Sequence, residues 1–285
     1  MSDSPGVHVG GLTVGSDSPV RVMSVINLSP ESFYKGSVAA SIDEFHAMID
    51  TASREGADII DIGGASTAPK QVYGTRDTSI DEEINRVTQA LDSVEVSEYP
   101  PLSIDTTSSR VAEVALDLGV SMVNDISGLH KDSEMADLVA TRKVPVVLMA
   151  NCGEPCNNIH ASLRALEDSL SIARDVGIES SKIILDPGIG FGKPPEVDVE
   201  ILRELSKFTT LDHPLLVGVS RKAFIGHLLS QPNPDDRLIG SIGATIVAVM
   251  NGASAIRTHD VRETKIAVHI GEALRKSKRP EEMLW

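Results

Sequence analysis

Eight short apolar runs recur along the chain: RVMSVIN (21–27), ADIIDIGG (57–64), PLSID (101–105), VSMVND (120–125), VPVVLMA (144–150), KIILD (182–186), PLLVGVS (214–220) and ASAIRTH (253–259). They are apolar throughout and rich in β-branched residues, which predicts parallel strands covered on both faces. The intervals between them carry helical periodicity. Ile42, Phe45, Ile49 and Ala52 fall on one face, as do Val111, Val114, Ala115 and Leu118, with Gly56 and Gly119 placed as stop signals. Ser79 and Glu82 have the spacing of a capping box ahead of Ile80, Ile84, Val87 and Leu91. Strand–helix units repeated over about 265 residues with no long linker predict an α/β fold, a single (β/α)8 TIM barrel. A six-stranded doubly wound sheet is the alternative. One domain is expected over 1–285, and GVHVGGLTVGSDSP (6–19) is expected to form a short N-terminal hairpin closing the barrel bottom.

Composition narrows the partners. The 285 residues are 41% hydrophobic and carry a formal charge of -15, with a pI near 4.9, so no basic surface invites nucleic acid or an anionic membrane. The start MSDSPGVHVGG lacks the basic flank and apolar centre of a signal peptide, and no apolar run approaches the roughly 18 residues of a membrane span. A cytoplasmic protein is expected. Cys152 and Cys156, in NCGEPCNN, fit neither a CxxC redox motif nor a zinc framework and are expected to be reduced loop thiols.

Barrel chemistry gathers at the carboxyl ends of the strands. Those ends read Asn27, Asp61, Asp105, Asn124, Met149 with Asn151, Asp186, Ser220 with Lys222, and Arg257 with His259. Each strand-end Asp or Asn could equally cap its own turn. Their recurrence suits a flat heterocycle rich in N–H and C=O groups, whose polar edges must be matched donor for acceptor. LDPGIGFGK (185–193) is not a nucleotide P-loop: its first glycine is misplaced and Pro194 and Pro195 follow where Ser or Thr should stand. Its glycines instead indicate positive φ or a close approach to a ligand. Ser220 and Lys222 lie where a strand turns into a helix, a place for an anion or a carbonyl. Arg257 and His259, two apart in a strand, share a face and match phosphate oxygens, a lone structural His–Asp contact being the alternative.

Taken together, NLSPESF, GADIIDIGGAST, SIDTTSSRVAEVAL, VNDISG, ILDPGIGFGK, LVGVSRKAFIG and IRTHDVRET resemble the dihydropteroate synthases of the pterin-binding barrel family, over about residues 20–272. The resemblance implies a transferase that joins 6-hydroxymethyl-7,8-dihydropterin diphosphate to an arylamine and releases pyrophosphate. It implies that Asp105, Asn124, Asp186 and Lys222 hold the pterin, with Met149, Phe191 and Gly218 lining its pocket. Asn27 is implied as a ligand of the cofactor Mg²⁺, and Arg257 and His259, beside Asn27, as the diphosphate holders. Ser220, Phe33, Thr67 and Pro69 are implied around the arylamine. Asp105, Lys222, Arg257 and His259 form the implied catalytic centre.

The loops depart from the family pattern. Ala65 replaces a usual glutamate, Ala68 an arginine, Lys70 a glycine and Lys35 an aspartate, while Ala150 stands where a histidine is usual. The four loop changes make the acceptor side more positive by about three charge units. They resemble the archaeal branch, which uses 4-(β-D-ribofuranosyl)aminobenzene 5'-phosphate on the way to methanopterin; Lys35 and Lys70, with Arg76, are the expected partners of that phosphate. Two other readings stand beside the synthase: a methyltetrahydropterin-dependent corrinoid methyltransferase, which has no diphosphate to hold, and a non-catalytic pterin-binding paralogue. GATIVAVMNGA (243–253) is apolar enough for a buried helix or a homodimer contact.

Overall fold

The expected hairpin forms from Val7–Val9 (β1) and Leu12–Val14 (β2), paired antiparallel around Gly10 and Gly11, whose positive φ values make the tight turn. This computed structural model describes residues 5–29, 34–65 and 78–275. Eight parallel strands follow: β3 (Arg21–Asn27), β4 (Ile59–Gly63), β5 (Leu102–Asp105), β6 (Met122–Asp125), β7 (Val146–Met149), β8 (Ile183–Asp186), β9 (Leu216–Val217) and β10 (Ala255–Thr258). They pair in the order β8-β7-β6-β5-β4-β3-β10-β9. A bridge between Leu185 and Leu215, with the Leu185 N–H 2.9 Å from the Pro214 oxygen, joins the two ends and makes a barrel. Closure rules out the doubly wound sheet.

Two apolar layers hold this fold. Inside the barrel, Met23, Ile59, Met122, Val147, Ile184, Leu216 and Ala255 pack with Val7, Val9 and Val14 of the hairpin, which plugs the amino-terminal end. Outside, the opposite strand faces meet the helices, so nearly every strand residue is buried, as continuous apolar runs require.

The helices begin and end where the sequence signals them. Helix α1 (Ile42–Arg54) starts with the Ser41 hydroxyl accepting from Glu44 N–H. It stops at Gly56 (φ +88), where Gly56 N–H bonds the Ser53 oxygen and Ala57 N–H bonds Ala52, a Schellman motif. Helix α2 (Ile80–Leu91) makes half of the expected capping box: Ser79 accepts from Glu82 N–H, and the Glu82 carboxylate pairs with Arg86. In α3 (Ser109–Asp117), Val111, Ala112 and Ala115 are buried and Gly119 (φ +95) ends the element. Helices α4 (Ser133–Arg142), α5 (Ile159–Asp175) and α6 (Pro195–Arg203) cover the next strands. Among the described residues, strict alternation breaks once, because two helices, α7 (Ala223–Leu229) and α8 (Leu238–Met250), separate β9 from β10; α9 (Val261–Arg275) completes the described chain. Among the described residues, no helix is long and apolar enough to cross a membrane.

The cysteines correct an expectation. Cys152 and Cys156 form a disulfide in the loop after β7, with Cα atoms 5.4 Å apart. Four residues of separation let the loop fold back far enough to bring the sulfurs together, a geometry that spacing motifs do not encode.

Candidate active site

The strand register sets the site. Asn27 pairs with Gly63, Gly63 with Asp105, Asp105 with Asn124, and Met149 with Asp186, so residues at or next to the ends of six strands stand at neighbouring levels of the carboxyl-terminal mouth. Gly63 leaves a gap between its neighbours: a Cβ there would lie 3.5 Å from Asn27 Oδ1 and 3.8 Å from the Asp105 Cβ.

Arg257 is the hub. Its Nε donates to Asp61 Oδ2 at 2.7 Å and its Nη2 to Asp105 Oδ2 at 2.8 Å, while Asn124 Nδ2 donates to the same Asp61 oxygen at 2.9 Å. Asp61 is fully buried and Asp105 nearly so, and the second oxygen of each, Oδ1, has no hydrogen-bond partner among the described residues. Buried acceptors without donors are costly, and both carboxylates are tied to the pocket through Arg257, which bonds them and lines it. Burial, partly offset by Arg257 and reinforced by Asp61 and Glu83, pushes the Asp105 carboxyl up to about 7.

A pocket opens at the mouth, lined by Val25, Asn124, Ile126, Asp186, Phe191, Gly218, Ser220, Lys222, Arg257 and His259. Eight residues expected from the sequence therefore meet in one cavity. Asp105, bonded to Arg257, and Met149, paired with Asp186, are not in its lining, and Asn27 ends β3 beside β4. The Lys222 ammonium sits 4.2 Å from the Phe191 ring centroid, with no hydrogen-bond partner among the described residues. Burial and repulsion by Arg257 pull it down to about 8, against the support of Asp186 and Asp198. Burial also raises the Asp186 carboxyl, although Gly188 N–H donates to its Oδ1 at 2.7 Å and Lys222 and Lys193 are near.

Arg257, in β10, and His259, one residue past its end, both line the pocket. His259 Nδ1 lies 2.9 Å from Ser220 Oγ, and burial together with Arg257, Lys222 and Arg221 drives its pKa well below 6.5, so the ring is neutral. Asp260 orients a neighbour: it takes a two-pronged bond from Arg221, Nε at 2.9 Å and Nη2 at 2.7 Å. Arg221 holds a left-handed φ of +55, uncommon without glycine, and this bend turns Ser220 and Lys222 toward the mouth. The Arg221 guanidinium lies 4.4 Å from the Tyr34 ring centroid, and Tyr34 meets His259 edge-on at 5.1 Å.

Several of these residues escaped sequence reasoning. Asp61 stood among the strand ends without a role, and nothing local announces that it shares Arg257 and Asn124 from strands far away in sequence. Glu83, buried on α2 with Oε1 2.7 Å from Thr106 Oγ1, has no sequence signal that sets it apart from Asp81 and Glu82 in the same helix turn. Tyr34, Arg221, Lys193 and Asp198 were equally unassigned; a buried Asp in the first turn of α6 is the one signal that apolar periodicity around it offered. Lys35, exposed, opens the turn Lys35–Ser37. Phe33, Thr67, Pro69, Lys70 and Arg76 lie outside the described residues.

No group of three or more His, Cys, Asp or Glu among the described residues could cage a metal. The donor set still fits Mg²⁺, which takes most of its oxygens from water and substrate phosphates. Asn27 Nδ2 donates to Ser37 Oγ at 2.8 Å, which fixes the amide and leaves Oδ1, a hard oxygen, on the Gly63 side at the mouth.

Comparison with known proteins agrees with this geometry. Residues 23–259 match the pterin binding enzyme family. The chain is 37% identical over 256 residues to the dihydropteroate synthase of Clostridium beijerinckii, covering 89% of this chain and 93% of that one. It is 38% identical over 263 residues to that of Bacillus subtilis, covering 90% and 89%. Among solved structures, a Coxiella burnetii dihydropteroate synthase in complex with pteroic acid superposes with a TM-score of 0.85 at 31% identity, covering 96% of this chain and all of that one. The Xanthomonas albilineans enzyme with 4-aminobenzoic acid gives 0.85 at 33% identity with the same coverage. A barrel whose mouth gathers Asn124, Asp186, Lys222 and Arg257, matched along nearly its whole length by these enzymes, belongs to the pterin-binding enzyme family, among the dihydropteroate synthases, and is a transferase.

Proposed function

We propose that this chain, acting as one domain, condenses 6-hydroxymethyl-7,8-dihydropterin diphosphate with p-aminobenzoate and releases pyrophosphate. The observation that carries the reading is the meeting of Asn124, Asp186, Lys222 and Arg257 in one pocket, with Arg257 bonded in turn to the buried carboxylates of Asp61 and Asp105. A pterin offers ring N–H and amino donors to Asp105, Asn124 and Asp186, and carbonyl and nitrogen acceptors to Lys222. Phe191, Met149 and Gly218 give the flat ring apolar walls. The Arg257 fork, paired with Asp61 and Asp105, presents its pocket-facing edge with His259 to the diphosphate. A neutral His259 offers one N–H there. Mg²⁺, held by Asn27 Oδ1, would neutralise charge on the departing diphosphate. As that group leaves, carboxylates close to the ring stabilise the positive charge left on the pterin methylene. Ser220, at the mouth, faces the arylamine, with Phe33, Thr67 and Pro69 assigned to the same side; Lys35 and Lys70 are assigned to its acidic end.

Pyrophosphate release and product mass, measured with Mg²⁺, the dihydropterin diphosphate and either p-aminobenzoate or the ribofuranosyl 5'-phosphate arylamine, test this reading. Turnover with p-aminobenzoate is expected. Turnover with the phosphorylated arylamine alone would replace it with the methanopterin-type acceptor. Pterin binding without turnover would leave a non-catalytic paralogue.

We also propose that the enzyme is a homodimer of copies joined through α8 and α9. Ile239, 81% exposed, and Val247 are exposed on α8, as Ile266, Ile270 and Leu274 are on α9, which packs against it. An apolar surface spread over neighbouring helices marks an interface. Sedimentation velocity should show a dimer and I239D a monomer; a monomeric wild type removes the proposal.

A further inference from the structure

Two buried charges next to the pocket have no part in the chemistry above. Lys193 is 7% exposed and Asp198 2%, and neither lines the pocket. They reach the loop between β8 and α6 from behind. The Lys193 ammonium donates to the Gly188 oxygen, and Asp198 Oδ1 accepts from Gly190 N–H at 2.9 Å. Gly188, Gly190 and Gly192 all have positive φ, at +71, +79 and +76. A Cβ on Gly190 would lie 2.4 Å from Lys222 Cδ, and one on Gly188 2.9 Å from Lys193 Nζ and 3.2 Å from Met149 Cγ. The glycine loop thus threads between two lysine side chains, and its next residue, Phe191, lies against the ammonium of the front one.

We infer that Lys193 and Asp198 are positioning residues for the pterin site: they fix Gly188 and Gly190 from behind, and so seat Phe191 on Lys222 and aim Asp186 into the pocket. Gly188 is the shared joint, since its oxygen takes the Lys193 bond while its N–H donates to Asp186 Oδ1 at 2.7 Å. Charge matters besides geometry. Lys222 is faced by Arg257 from β10, Asp186 from β8, Lys193 from the loop and Asp198 from α6; Asp198 and Asp186 support its positive charge, and Arg257 and Lys193 oppose it. Burial lifts the Asp198 carboxyl to about 6 and lowers Lys193. The two residues therefore push the Lys222 titration in opposite directions, which a purely structural staple would not do.

This inference rests on the pterin reading, and wild-type pterin binding by calorimetry checks that reading separately: if the wild type binds none, the function falls before the variants are compared. With binding established, Lys193→Met and Asp198→Ala should raise the pterin KM about tenfold with kcat changed less than about threefold, because they loosen a wall of the pocket and not the reacting groups. Asp198→Asn keeps an acceptor for Gly190 N–H and should hold KM within about threefold while moving the alkaline limb of kcat/KM to lower pH. Lys193→Met should move that limb to higher pH. If Asp198→Ala or Lys193→Met does not fold, Asp198→Asn and Lys193→Gln decide by the opposed limb shifts. Variants that lower the melting temperature but leave pterin KM and both limbs unchanged would reduce the pair to a structural staple and overturn the inference.

Discussion

Arg257→Met should abolish measurable turnover, with kcat/KM lowered by about 10²–10³-fold or more, and destabilise the fold by about 3–5 kcal/mol near pH 8. The reason is that one guanidinium serves two buried carboxylates and a pocket. Its removal leaves Asp61 Oδ2 with Asn124 alone and leaves Asp105 without a hydrogen-bond donor among the described residues, so a fully desolvated charge loses its counterion. The pH dependence identifies the cause. Asp105 already has a folded pKa of about 7 against 3.8 for the free carboxyl, and losing Arg257, which lowers it, raises it further. A carboxyl raised on folding adds stability that is full below its unfolded pKa and is lost as pH rises through its folded pKa. The deficit of the variant should therefore be small at pH 4–5, where the folded Asp105 is protonated, and grow toward pH 8. Urea unfolding at both ends measures it. A deficit of equal size at both would mean that Arg257 stabilises by packing and not by neutralising Asp105. Lysine is no substitute, because a point charge cannot bond two carboxylates in the directions that the planar fork does.

The second large effect concerns the pH window of pterin capture. Asp105 must be ionised to accept from ring N–H donors, and Lys222 must be protonated to donate. With Asp105 at about 7 and Lys222 at about 8, kcat/KM should follow a narrow bell, rising through pH 7 and falling beyond pH 8. Asp105→Asn should remove the acid limb and lower kcat/KM about 10²–10³-fold; Lys222→Met should remove the alkaline limb with a loss of similar order. Because kcat/KM reports the free enzyme, the same limbs should appear in pterin affinity measured without an acceptor. A flat profile between pH 6 and 9 in the wild type would show that neither group changes charge in this range. Retention of the acid limb in Asp105→Asn would transfer it to another carboxylate, Asp186 being the neighbour on the pocket wall.

Much of the architecture was written locally. Continuous β-branched runs can be satisfied only by strands covered on both faces, and the runs at 21–27 and 101–105 became β3 and β5 with boundaries within a residue of the pattern. Ser41, Ser79, Gly56 and Gly119 act within one helical turn of themselves, so their effect needs no tertiary context. The strand-end residues were legible for the same reason: once eight parallel strands close, their last polar residues have nowhere to go but the mouth, and Asn124, Asp186, Lys222 and Arg257 meet there.

What only the tertiary structure decided is which of those groups touch. Arg257 and Asp61 lie 196 positions apart, and their bond exists because the β10–β3–β4 register brings two levels of the barrel together. The same closure made Asp105 a buried carboxyl bonded to Arg257, with its pKa raised by burial, instead of a turn cap, turned Glu83 inward against Thr106, and buried Lys193 and Asp198 behind the glycine loop. The disulfide between Cys152 and Cys156 likewise follows from how one loop folds back on itself. Sequence determined the frame through interactions a few residues long. The partners of each charge were decided by burial, because in a desolvated layer a charge must find its counterion in three dimensions, whatever the distance along the chain.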